Sequence, residues 1–164
     1  MKAAIALALM AATAAGGPDT IPAPAGTISM EMNSWGKRVS DWSIDPGGNG
    51  RYAAAVPTVF APDAHWIVRK VAVGPAGYRK LRGALAAVEH RPAGALPCTI
   101  AITDGAYGQV RWTQLRGKHR AVDYTAGCRE PATQSAVGAI MKADAMMRRW
   151  SAGGRIIEDR KVKP

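Results

Sequence analysis

Through the first half of the chain, apolar side chains recur at every second position. Ile28, Met30 and Met32 alternate with Ser29 and Glu31, the spacing of a half-buried strand. Asn33-Ser34-Trp35-Gly36 turns the chain, and Arg38 to Ile44 follows with Trp42 and Ile44 on one face and Val39, Asp41 and Ser43 on the other. Asp45-Pro46-Gly47-Gly48-Asn49-Gly50 is the strongest turn signal, because Gly and Asn accept positive φ cheaply. Tyr52, Ala54 and Val56 continue as a third strand. After a Pro-punctuated loop from Pro57 to Ala64, Trp66 to Val73 reads as a fourth.

The period then changes. Pro75 suits a first helical turn, and Tyr78, Leu81, Leu85 and Val88 fall at helical spacing, which predicts an amphipathic helix of about four turns ending before Pro92. Alternation returns at Cys98, Ile100 and Ile102, then at Val110, Trp112 and Leu115, and again at Val122 and Tyr124, with turns at Asp104-Gly105 and Gly117-Lys118. Ala136, Ile140, Ala143, Met147 and Trp150 mark a second helix, which Gly153-Gly154 ends. Strands followed by a helix thus occur twice.

That order predicts an α+β layer: an antiparallel sheet of about six to seven strands with two amphipathic helices on one face and the other face free for solvent or a partner. Four tryptophans, Trp42, Trp66, Trp112 and Trp150, are expected to fill the core between sheet and helices. Residues 27–152 form the expected single domain. Residues 15–26, rich in Pro and Ala, read as a tether, and 153–164 as a basic C-terminal tail, with an edge strand through Ile156-Ile157 as the alternative.

The 164 residues, 48% hydrophobic and 21% charged, are ordinary for one globular domain and exclude disorder, collagen and a multidomain enzyme. The N-terminus changes the picture more. Met1-Lys2, an apolar run from Ala3 to Met10 and the small-residue pattern Ala12-Thr13-Ala14 read as a secretory signal peptide over residues 1–14. The run is too short to span a bilayer, no cysteine lies near the cleavage point to take a lipid, and no transmembrane segment is expected after cleavage. The expected address is periplasmic or secreted. In such a compartment Cys98 and Cys128, with no odd cysteine left over, are expected to form a disulfide.

Familiar chemistry is sparse. His65, His90 and His119 lie far apart with no metal-ligand spacing, and no nucleophile elbow, phosphate loop or dinucleotide fingerprint is present. No metal and no cofactor is therefore expected. A carboxylate pair would have to be assembled from Asp41, Asp45, Asp63, Asp104, Asp123 or Asp144, and nothing in the sequence prefers any two.

The formal charge of +10 leans toward anionic partners. Arg111, Arg116, Lys118 and Arg120 gather around one predicted hairpin, and a solvated surface is the plain alternative. Trp35 and Tyr107 are aromatics on loops, where burial is harder, and stand as contact candidates. Nucleic acid is not an expected partner, since no motif supports it.

The run Trp42-Ser-Ile-Asp-Pro-Gly-Gly-Asn-Gly-Arg-Tyr52, with Cys98-Thr-Ile-Ala-Ile-Thr-Asp-Gly105 and Gly127-Cys128, is similar to small exported proteobacterial domains of unknown function. The resemblance covers most of the mature chain and implies no activity and no site residues. The expectation is a non-enzymatic exported binding domain that contacts a protein or an envelope component, inhibitor-like by analogy of fold. A small hydrolase assembled from distant residues and an electrostatic binder of anionic envelope polymers are the alternatives.

Overall fold

The computed structural model describes residues 24–102 and 104–162. The expected signal peptide and most of the expected tether lie outside them. Eight strands form one sheet: β1 (Ile28–Ser34), β2 (Lys37–Ile44), β3 (Asn49–Val56), β4 (His65–Ala72), β5 (Gly94–Ala95), β6 (Tyr107–Thr113), β7 (His119–Thr125) and β8 (Ile156–Lys161). Helices α1 (Gly74–Ala84) and α2 (Ala86–Glu89) follow β4, and α3 (Pro131–Ser151) precedes β8.

The strand order is β5-β7-β6-β1-β2-β3-β4-β8, antiparallel throughout except for the parallel pair β5 and β7. The α+β class stands, but the sheet is larger than the expected six to seven strands and is mixed. Two segments account for the difference. The alternation at Cys98, Ile100 and Ile102 makes no strand: Ile100 and Ile102 are exposed and only an isolated bridge joins Ala101 to Cys128. That stretch follows Pro97, which cannot donate to a ladder. Backbone pairing starts earlier instead, at β5.

The expected C-terminal tail is the second correction. Its Ile156–Lys161 segment is β8, paired with β4 through Trp66↔Arg160 and Val68↔Glu158. All six residues are exposed, and their charged side chains blunt the sheet edge against a further strand.

Alternation sorts the strands onto two faces. Ile28, Met30, Trp42, Ile44, Tyr52, Val71, Val110, Trp112, Val122 and Tyr124 join Leu81, Leu85, Val88, Ile140 and Met147 of the helices in one buried cluster. The first helix breaks at Leu85 (φ −91, ψ 4), yet Tyr78, Leu81, Leu85 and Val88 all turn inward as their spacing predicts. Gly48 (φ +80) lets the β2–β3 turn lie on the start of α1, where a Cβ would stand 2.0 Å from Gly74 O. Gly26 at the end of the expected tether is docked, donating to Thr113 O and accepting from the Tyr78 hydroxyl at 2.6 Å.

Trp66 corrects the expectation for the tryptophans. It packs with Ala53 and Val68 in a separate cluster on the opposite face. Trp-Ile-Val-Arg-Lys-Val is apolar at positions of both parities, so the sequence alone left its face ambiguous.

Candidate functional site

The face turned away from the helices begins as a charge lattice. Glu31 of β1 and Asp41 of β2 are direct cross-strand partners, an arrangement that repels unless neutralised. Three arginines neutralise it. Arg38 reaches Glu31 at 2.9 Å and Asp41 at 3.7 Å, Arg51 reaches Asp41 at 2.8 Å, and Arg111 approaches Glu31 at 4.0 Å. Arg38 and Asp41 are three residues apart, which in a regular strand places side chains on opposite faces. The register jump from Met32↔Ser40 to Asn33↔Arg38 leaves Val39 as an extra residue, and this bulge re-aims Arg38 beside Asp41.

Toward the β8 edge the same face turns apolar. Trp66, Ala53 and Val68 are buried there, with Ala55 and Val162 packed against them. The 57–64 loop lays Val59 beside them, over a cleft of about 680 Å³ whose rim carries Lys37, Arg38, Arg160 and Lys161 together with one acid, Asp41.

The β1–β2 hairpin closes this end of the sheet. Trp35 (φ 49) and Gly36 (φ 73) occupy its two central positions, both left-handed as a type I′ turn requires. Glycine takes that conformation freely, but a side chain pays for it, and Trp35 recovers little by burial because it is 70% exposed. Tyr107, 41% exposed, is not on a loop as expected but starts β6 opposite Asn33, so it shares one end of the sheet with Trp35.

The basic candidates do not gather. Arg111 belongs to the open face. Arg116 and Lys118 sit in the β6–β7 connection at the other end of the sheet, both exposed. Arg120 turns toward the helices, where its guanidinium stacks on Trp112 at 4.7 Å and donates to the carbonyls of Val88 and Arg91 at the end of α2.

On the helix side, Asp144 of α3 faces a cleft of about 560 Å³ with Ser40, Tyr52, Met141 and Arg148. Ser40 Oγ donates to its carboxylate at 3.5 Å. Burial raises the Asp144 pKa, against the opposing pull of Arg148, Ser40 and Trp42. Burial, helped by the Asp144 charge, pushes the Tyr52 phenol up to about 12, and Tyr124 is raised in the same way. Of the candidate aspartates, Asp144 lies in this helix-side cleft, Asp123 lines a cleft with Glu31, Gln109 and Tyr124, and Asp41 serves the open face.

Cys98 and Cys128 are disulfide-bonded, with Cα atoms 5.6 Å apart. Glu130 stands beside them, its carboxyl lowered by the hydroxyl and backbone N–H of Thr99. Its oxygen and the two sulfurs lie within 4.8 Å of one another, but the sulfurs are spent on each other rather than offered as thiolates. His65 pairs with Asp159 at 2.6 Å across β4 and β8, both about half exposed. Among the described residues no helix is long and apolar enough to cross a membrane.

The sequence missed the Arg38, Arg51, Glu31 and Asp41 lattice and the Trp66 cleft. A bulge carries no mark in the residue string, and both features are assembled across strands. Compared with known proteins, the chain matches no family model, no curated protein and no solved structure.

Proposed function

We propose that this chain is an exported, non-enzymatic binding domain that engages a protein or envelope component through the open sheet face and the Trp35–Tyr107 end. The observation that carries this reading is Trp35: a large indole, 70% exposed, held at positive φ beside a face that the helices leave uncovered. Folding gains nothing from it there, and strained exposed positions cluster where contact is made. The Cys98–Cys128 disulfide fits the oxidising compartment that the leader-like N-terminus predicts. Attachment by charge alone is the weaker account, because Arg38, Arg51 and Arg111 are shared with Glu31 and Asp41.

The test is capture from the envelope fraction of the source cell by the mature protein, with Trp35→Asn and Arg111→Glu against Lys118→Glu at the far end. Loss of the captured component in the first two, with retention in the third, is the expected result. Equal capture by all three rejects this surface.

A further inference from the structure

We infer that the cleft over Trp66 binds a long-chain amphiphile with one anionic head group, an acyl chain carrying a carboxylate. This names the ligand class of the proposed binding face and rests on that reading. The register seats the indole: Ala53↔Val68 and Ala55↔Trp66 are cross-strand pairs, so the small β3 side chains pack against Trp66 and leave its ring as the apolar floor of the cleft. The result is a trough walled by Trp66, Val59 and Val162. Its volume of about 680 Å³ falls within the roughly 300–1,000 Å³ usual for small-molecule sites.

Charge selects the head group. Lys37 and Lys161 stand on the rim and enter no ion pair among the described residues. Arg160 lies over the Trp66 ring at 5.8 Å, its Nε shared with Glu158. An anion at this rim meets unneutralised cations, whereas Asp41 is already held by Arg51 at 2.8 Å.

The floor favours a methylene chain over a peptide. Trp66 lies on β4, which is paired with β3 on one side and β8 on the other, so the backbone under the indole offers no free edge to the trough. A peptide laid on Val59, Trp66 and Val162 would bury N–H and C=O groups without partners. A methylene chain has none to satisfy.

The experiment is quenching of tryptophan fluorescence by dibromostearate, kept below micelle formation, in the mature disulfide-bonded protein. Saturable quenching is expected, lost in Trp66→Phe and kept in Trp150→Phe. Val162→Glu, which sets a charge on the wall of the trough, and the double variant Lys37→Glu, Lys161→Glu should each weaken binding by about tenfold or more. The second of these leaves the packing of the floor intact should the first disturb folding. The methyl ester of the same chain should bind about tenfold more weakly, and inorganic phosphate should not compete.

Absence of saturable quenching, loss of quenching in Trp150→Phe instead, equal binding of acid and ester, or displacement by phosphate alone would each overturn the inference. Trp35 and Arg111 do not line this cleft. Envelope capture that still depends on them, without acyl binding, rejects the ligand class and keeps the binding face; acyl binding without such capture does the reverse.

Discussion

The guanidinium of Arg120 lies 4.7 Å from the centre of the Trp112 ring and donates at 3.2 Å to the carbonyl of Val88. One side chain thereby ties β7 to β6 and to the end of α2, satisfying carbonyls that a short helix leaves open. Arg120→Ala should cost on the order of 2–3 kcal/mol, from the lost stacking and charged hydrogen bonds together. Urea unfolding measures that loss, and envelope capture by the folded fraction should be unchanged. A variant of normal stability that captures nothing would return Arg120 to the contact surface.

Trp35→Asn should act with opposite sign on stability and binding. Asn tolerates left-handed φ far better than Trp, so the hairpin should gain about 1 kcal/mol. Thermal melts and capture measured on the same preparation test this together. A destabilised variant would mean that the indole packs on something, contrary to its 70% exposure.

The disulfide closes a loop with a sequence separation of 30 residues. Replacing both cysteines with serine should lower stability by about 3–4 kcal/mol in the chain-entropy account. Comparing that variant with the reduced native protein in urea checks the figure; coincidence of all three midpoints, oxidised form included, would show that the bond contributes nothing.

Asp144 sets a pH dependence. Burial raises its pKa above the ordinary 3.8, so the native state holds the proton more tightly than the unfolded chain does. Its contribution to stability is therefore full below the unfolded value and is lost as pH rises through the raised native one. Asp144→Asn should flatten that limb of the stability profile and be the more stable protein near neutral pH. Urea midpoints across the acid range test this; an unchanged slope would place the titration elsewhere.

The sequence carried the fold wherever burial was periodic. Trp42 and Ile44 alternate against Asp41 and Ser43 because one face of β2 meets the helices, and Leu81, Leu85 and Val88 keep helical spacing across a helix break. The pattern failed where burial was absent or two-sided. β8 exposes every residue and is held by backbone pairing, which leaves no hydropathy signature. Ile100 and Ile102 alternate yet bury nothing. Trp35 was legible as a loop aromatic, because Ser-Trp-Gly-Lys reads as a turn between two alternating runs. The lattice of Glu31, Asp41 and Arg38 was not, since it needs both a cross-strand register and a bulge at Val39.

The most direct test of the binding surface is hydroxyl-radical footprinting of the protein, free and bound to the component it captures. Trp35 and Tyr107 should be protected on binding, while Met141 on α3, 36% exposed, should oxidise equally in both states. Protection of Met141 with Trp35 and Tyr107 unchanged would move the contact to the helical side and contradict the account.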